Sequence, residues 1–157
     1  MKRKFFMRIA LTSFFLFVVG LQTTKAQSTV YFFWDFGRMS WDELPFKLNG
    51  KTAFSLKPRY TKSIGDFQLY SKALRKVTFN KEGKYVVSVD QEWAQKPYHA
   101  EVVLNVEKGE TYYVVLDCTI KNAFELKILS EKDGEKFLAK ALKDKKYEVN
   151  PDITYGK

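Results

Sequence analysis

Hydrophobic and polar residues alternate along most of the chain that follows residue 27. Because successive side chains of a β-strand point to opposite faces, this period of two predicts strands with one apolar face. The segment from Thr29 to Phe36 is aromatic and β-branched and predicts a first strand. The four clearest alternating series are Tyr85, Val87 and Val89; Val102, Leu104 and Val106; Tyr112, Val114 and Leu116; and Phe124, Leu126 and Ile128.

Turn signals separate the predicted strands. Asn49-Gly50 joins the segments Leu44 to Leu48 and Thr52 to Leu56. It predicts a β-hairpin, because both turn residues tolerate a positive φ. Gly83 and Gly109 occupy loop positions that favour a left-handed residue after a type I turn. They predict two more hairpins, which join Val77–Phe79 to Tyr85–Val89 and Ala100–Val106 to Thr111–Cys118.

The period changes near the C-terminus. From Glu131 to Lys146 the apolar residues recur at helical spacing, and Ser130 and Asp133 are candidates for the N-cap. Lysines at the far end suit the negative end of a helix. The segment therefore predicts a helix that packs on the strands. Residues 147–157 contain Pro151 and Gly156 and are expected to be irregular.

Short strands with regularly spaced turns predict a mainly β fold. We expect an antiparallel β-sandwich, prealbumin-like or immunoglobulin-like, with one C-terminal helix. The hairpins argue against a doubly wound parallel sheet. No composition break divides residues 27–146, so they are predicted to form one domain, followed by the tail 147–157.

The first 26 residues have the features of a secretory signal peptide. Lys2, Arg3, Lys4 and Arg8 precede an apolar run from Ile9 to Leu21. Thr24 and Ala26 are the small residues that predict cleavage after Ala26. The apolar run is too short to favour a membrane anchor. The chain is therefore predicted to be exported to the periplasm, the cell surface or the medium, without a transmembrane span after cleavage.

Loss of this leader changes the charge. Five basic residues and no acidic one lie within it, so the formal charge falls from +9 to +4. Export and this modest charge argue against nucleic acid as a partner. Cys118 is the single cysteine, which excludes an intramolecular disulfide, and its strand position predicts a small buried side chain.

The order of these elements resembles small secreted bacterial β-sandwich domains of unknown function. The features that carry the resemblance are the aromatic first strand, the Asn49-Gly50 hairpin, the Gly83 turn, the Gly109-x-x-Tyr112-Tyr113-Val114 strand and the terminal helix. They cover nearly all of residues 29–142. The resemblance implies a prealbumin-like or immunoglobulin-like sandwich and no established catalytic residues. One departure is the end of the first strand, where a basic residue would be expected and Trp34, Asp35 and Phe36 stand instead; Arg38 comes slightly later.

Candidate catalytic residues are few. His99 is the only histidine, so a Ser-His-Asp triad or a dyad with Cys118 would have to use it, and a multi-histidine metal site is excluded. Asp90 and Glu92 lie two residues apart and would suit glycoside hydrolysis if they shared a cleft. Among 18 acidic residues such pairs are common by chance. Neither a cofactor nor a metal is predicted.

Aromatic residues near strand ends are the better candidates for binding. Flat rings there stack on sugars or anchor peptides, although the same rings also serve to cap a core. The sequence therefore predicts a non-enzymatic interaction module, with an envelope protein or a glycan as its partner and with its oligomeric state open. The alternatives are a glycan or small-ligand binder and a hydrolase that uses Asp90 and Glu92 or His99. The candidate binding residues are Trp34, Trp41, Trp93 and Tyr98.

Overall fold

The computed structural model describes residues 27–36, 41–93, 95–118 and 123–156. The predicted leader, residues 1–26, lies outside this part of the chain. The described residues form strands β1 to β12 and one helix, α1, which begins after β10. In chain order the elements are β1 (Ser28–Trp34), β2 (Leu44–Leu48), β3 (Lys51–Leu56), β4 (Tyr60–Ile64), β5 (Phe67–Tyr70), β6 (Lys72–Phe79), β7 (Gly83–Trp93), β8 (Lys96–Val106), β9 (Thr111–Cys118), β10 (Phe124–Ile128), α1 (Glu131–Lys143), β11 (Tyr147–Val149) and β12 (Ile153–Tyr155).

Two sheets pack face to face, which confirms the predicted mainly β, sandwich-like fold with a helix. The larger sheet has the order β10-β9-β1-β6-β11, and β12 also pairs with β6. The smaller sheet has the order β3-β2-β7-β8. The core between them is aromatic and aliphatic, and its fully buried side chains include Phe32, Phe46, Phe79 and Leu104. The Asn49-Gly50 turn joins β2 to β3 as predicted, with both residues at positive φ.

The two hairpins predicted at Gly83 and Gly109 are not formed. Strand β6 lies in the larger sheet and β7 in the smaller one, and β9 and β8 are divided in the same way. Each of these turns therefore carries the chain from one sheet to the other.

Strand β1 lies at the centre of the larger sheet and is covered on both faces. Val30, Phe32 and Trp34 point into the sandwich core, whereas Phe33 belongs to a second cluster under α1. A strand buried on both faces has no polar face, which explains the continuous aromatic run in the sequence. The domain therefore has three layers, in the order small sheet, large sheet and helix.

The larger sheet is mixed rather than purely antiparallel. β1 pairs with β9 in parallel, with Val30 opposite Tyr112, and it pairs with β6 in the antiparallel sense. Turn signals report only strands that are neighbours in the chain. A pair as distant in sequence as β1 and β9 leaves no such signal, so the parallel pairing could not be predicted.

Helix α1 is capped as the sequence predicts, but it ends earlier. The Ser130 side chain accepts a hydrogen bond from the Asp133 backbone N–H at 3.2 Å, so Ser130 is the N-cap and Asp133 lies in the first turn. The helix ends at Lys143 rather than Lys146. The Asp144 N–H binds the last carbonyl oxygens, and the chain then turns into β11.

The C-terminal tail is ordered into strands, and the prediction of an irregular segment is wrong. β11 and β12 each pair in parallel with β6. Between them, Asn150 is buried; its side chain accepts a hydrogen bond from the Lys57 N–H at 2.7 Å and donates one to the Lys57 carbonyl oxygen at 2.8 Å. Pro151 separates the two short strands β11 and β12 but does not end the ordered structure, because the hydrogen bonds of Asn150 join the tail to the end of β3.

Strands β4 and β5 form a hairpin that belongs to neither the larger nor the smaller sheet. The sequence did not predict it, since residues 60–70 lack a continuous apolar alternation. Among the described residues, no helix is both long and apolar enough to cross a bilayer.

Candidate functional site

Three of the predicted binding residues meet in one aromatic cluster. Phe36 contacts Trp34 and Phe124, with ring centroids 5.5 Å apart in both pairs. Phe124 in turn lies 5.1 Å from Tyr98 and 5.3 Å from Trp41. We call these five residues the aromatic cluster. It closes one end of the sandwich, because it joins β1 and β10 of the large sheet to β8 of the small one.

Most of this cluster is not accessible. Trp34 is 1% exposed and Tyr98 is 7% exposed, so their rings cap the core. Trp41 and Phe36 are half-buried and reach the surface only in part. The Trp41 indole N–H donates to the Glu92 carbonyl oxygen at 3.4 Å, which holds the ring on the end of β7. The side chain of Trp93, the fourth predicted binding residue, lies outside the described part of the structure.

The predicted acid and histidine residues meet on the outer face of the small sheet. Asp90 and His99 are directly opposite each other on β7 and β8. The Asp90 Oδ1 lies 2.6 Å from His99 Nδ1, and its Oδ2 accepts a hydrogen bond from Lys47 Nζ at 2.8 Å. These hydrogen bonds, first that of Lys47 and then that of His99, lower the pKa of Asp90 below its usual value.

This arrangement resembles half of a catalytic triad, in which a carboxylate orients a histidine through Nδ1. The His99 side chain is 58% exposed and Asp90 is 45% exposed, so the pair lies on an open sheet surface. Cys118 lies in the other sheet, and burial raises the pKa of its thiol. Among the described residues no hydroxyl or thiol is hydrogen-bonded to His99. Within the described residues, Asp90 and His99 therefore form an exposed hydrogen-bonded pair that Lys47 extends on the Asp90 side.

A pocket that sequence reasoning missed lies between α1 and the large sheet. Its floor is formed by Asp35 at the end of β1, Lys72 at the start of β6 and Tyr147 at the start of β11. Phe137 of α1 forms a wall, Lys140 of the same helix also lines the pocket, and the cavity volume is about 260 Å³. We call it the Asp35 pocket. Further lining residues are Ala141, Asp144 and Lys146.

The floor of the Asp35 pocket is a hydrogen-bonded ion pair. Lys72 Nζ lies 2.5 Å from Asp35 Oδ1, and the Tyr147 hydroxyl donates a short hydrogen bond to the same oxygen. Lys72 Nζ also lies 5.4 Å from the centre of the Tyr147 ring. Burial, followed by the hydrogen bond to Asp35, raises the pKa of Tyr147 far above its usual value. The phenol therefore stays protonated at physiological pH and donates this hydrogen bond to Asp35.

The only sequence signal for this pocket was the acidic residue at position 35. An acidic side chain directly after a buried aromatic strand needs a partner, because an unpaired charge next to a core is costly. Its partners come from positions 72 and 147, which lie far along the chain. Nothing in the spacing of these residues points to their meeting.

The β4–β5 hairpin is the most exposed element that carries apolar side chains. All five residues of β4 are exposed, with Tyr60 at 52% and Ile64 at 56%. Tyr60 lies opposite Tyr70, with ring centroids 6.1 Å apart, and Ile64 lies beside the turn. Lys62 is exposed between them and forms no ion pair with any described residue.

Comparison with protein-family models, with curated proteins and with solved structures gave no match to this chain. The described residues also contain no cluster of three or more histidine, cysteine, aspartate or glutamate side chains placed to hold a metal ion.

Proposed function

We propose that this chain is an exported, non-enzymatic interaction module that binds a partner protein through the β4–β5 hairpin. The observation that carries the proposal is the exposure of this hairpin, which stands outside both sheets and presents Tyr60 and Ile64 to solvent. The sequence supports the rest of the proposal, since it predicts export, a non-enzymatic role and a resemblance to secreted sandwich domains.

A two-stranded hairpin has little stability of its own in water. Here its base is fixed to the domain, because the Ser71 N–H donates to the Arg59 carbonyl oxygen and the Arg59 N–H donates to Ser71 Oγ, both at 2.8 Å. Within the hairpin, the Tyr60 hydroxyl lies 3.0 Å from Ser63 Oγ. The element is thus held in shape while its outer apolar side chains have no cover, which suits a contact surface.

The charge around the hairpin favours a partner with carboxylates at the rim of its own apolar surface. Arg59 lies 3.7 Å from Glu148 and Lys57 lies 3.5 Å from Glu43, so these two cations already have acidic neighbours. Lys62 is exposed and available to a carboxylate of the partner. Charge pairs at such a rim steer association more than they add affinity.

The hydrolase alternative has less support. Both carboxylate oxygens of Asp90 are engaged, one by Lys47 and one by His99, and the group lies on an open surface. A general acid in glycoside hydrolysis needs a raised pKa, whereas the pKa of Asp90 is lowered.

The test compares two double variants of an affinity-tagged chain expressed in its own host. In Y60S/I64S the exposed apolar side chains of the hairpin are removed; in the matched control V103S/I128S two other exposed apolar side chains are removed. Co-purified proteins are quantified by isotope-labelled mass spectrometry. We expect a partner that is enriched with the unaltered chain and with the control and at least tenfold depleted with Y60S/I64S. Equal enrichment with all three chains would refute the role of the hairpin.

A further inference from the structure

The Asp35 pocket has the construction of a small-ligand site that is separate from the hairpin. It lies under α1, and its lining comes from three separate parts of the chain: the end of β1, the start of β6, and the segment from α1 to the start of β11. Its volume of about 260 Å³ is slightly below the range of pockets that hold drug-sized ligands. The space therefore suits a molecule of about one ring in size.

The charges of the floor are already matched. The carboxylate of Asp35 is neutralised by Lys72, and the Tyr147 phenol is held in its neutral form by burial and by its hydrogen bond to Asp35. The Asp35 and Lys72 side chains are each 26% exposed, so this pair faces the cavity without being fully open to solvent. A ligand that enters meets a fixed polar floor instead of mobile charges.

The mouth of the pocket carries unmatched positive charge. Lys140 lies on the last turn of α1 and Lys146 lies just before β11, and neither amine forms an ion pair with a described residue. Asp144 lines the pocket beside them, and its Oδ1 accepts a hydrogen bond from the Lys146 backbone N–H at 2.9 Å. The Asp144 N–H donates to the carbonyl oxygens of Lys140 and Ala141. Counted over the lining residues, three amines and two carboxylates give a formal net charge of about +1.

The wall supplied by α1 adds an apolar surface. Phe137 lines the cavity, and its ring is fixed by an edge-on contact with Phe33, with centroids 4.9 Å apart. Phe137 and Ala141 thus supply an apolar surface within a lining that is otherwise polar or charged.

We infer that the Asp35 pocket binds a small organic monoanion, a carboxylate whose apolar part packs on Phe137 and whose charge is bound by Lys140 and Lys146. The site does not depend on the hairpin, and either proposal stands if the other fails.

The test is a titration of the protein produced from the full-length chain with benzoate, followed by ¹H–¹⁵N NMR, with benzamide as the neutral isostere. We expect saturable shifts confined to the ends of β1 and α1 and the start of β11. Benzamide is expected to bind at least threefold more weakly. The double variant K140Q/K146Q is expected to weaken benzoate binding by about tenfold, because two amine contacts are lost. The matched control K132Q/K136Q, on the first turns of the same helix, is expected to leave it unchanged.

Several outcomes would overturn the inference. Shifts spread over surface lysines, or an equal response to benzoate and benzamide, would show that the pocket does not select a carboxylate. Equal loss of binding in the control variant would point to the general charge of α1. A separate variant, F137A, distinguishes a ligand inside the cavity from an ion at its mouth. It should weaken benzoate binding at least threefold while leaving the response to chloride unchanged, and unchanged benzoate binding would refute the proposed pose.

Discussion

Gly134 determines how closely α1 approaches the large sheet. It lies in the first turns of the helix and is buried against Tyr113 of β9. A Cβ atom at this position would meet the Tyr113 side chain at 2.1 Å from Cδ2, 2.2 Å from Cγ and 2.7 Å from Cβ. Carbon atoms in normal contact are about 3.5 to 4.0 Å apart. The substitution Gly134→Ala therefore requires a displacement of more than an ångström.

Tyr113 has no room to move away. It is 5% exposed, and its ring stacks on Tyr31 with centroids 5.6 Å apart. Its Cβ takes part in the clash, and no rotation of the side chain moves that atom. The helix itself must shift, which loosens the contact of Phe137 with Phe33.

Packing and helix propensity predict changes of opposite sign in the free energy of unfolding of Gly134→Ala. In an exposed helix, Gly→Ala stabilises by about 1 kcal/mol. Overpacking of a filled core costs about 1–3 kcal/mol. Displacement of the helix adds to that cost, so Gly134→Ala is expected to lower the free energy of unfolding by about 2 kcal/mol. For a domain of this size the melting temperature should fall by roughly 6–10 °C.

The assay is urea unfolding followed by far-UV circular dichroism and tryptophan fluorescence. The matched control is Ala139→Gly at an exposed position of the same helix, which should cost about 1 kcal/mol through propensity alone. A Gly134→Ala variant that is as stable as the unaltered chain, or more stable, would refute the close packing of α1 on Tyr113.

Three further predictions follow from single contacts. Asn150→Ala removes both hydrogen bonds to the Lys57 backbone and should lower the free energy of unfolding by about 2 kcal/mol, measured by urea unfolding with Asn150→Asp as a second variant. The raised pKa of Tyr147 stabilises the fold below about pH 10, and this stabilisation is lost as the pH rises. Tyr147→Phe should therefore lower the free energy of unfolding at neutral pH and flatten the alkaline limb of the stability curve, and an alkaline limb as steep as that of the unaltered chain would contradict this. The lowered pKa of Asp90 stabilises the fold above about pH 4, and this stabilisation is lost on acidification. Asp90→Asn should therefore flatten the acid limb of a plot of the free energy of unfolding against pH. The change should be less than about 1 kcal/mol, because the pair of Asp90 and His99 is exposed. An acid limb that is steeper in Asp90→Asn than in the unaltered chain would contradict this prediction.

Signals from neighbouring residues predicted part of the fold. They located the turns at Gly83 and Gly109, but a turn does not show whether the two strands that it joins share a sheet, and here they do not. Alternation and turn chemistry identified the β2–β3 pair and the start of β9 at Thr111, and Ser130 identified the start of α1. Strands β7 and β8 extend further than predicted, to Trp93 and from Lys96, because the polar ends of a long hairpin carry no apolar alternation.

The parts that could not be predicted depend on contacts between distant residues. The tail forms strands because Asn150 pairs with Lys57 and Tyr147 with Asp35, and neither pairing leaves a local pattern. The burial of Trp34, one of the candidate binding residues, also depends on contacts between distant residues. Trp34 lies at a strand end, where exposure is common, yet the aromatic cluster buries it.

The proposed contact surface is tested most directly by site-specific photocross-linking in the producing cells. A photoreactive residue is placed at Ile64 on the hairpin and, in a matched chain, at Val103 on the outer face of β8, where a large apolar side chain is also exposed. We predict a discrete adduct of one size with the probe at position 64 and none with the probe at 103. No adduct at 64, or the same adduct from both positions, would contradict the assignment of the β4–β5 hairpin as the binding surface.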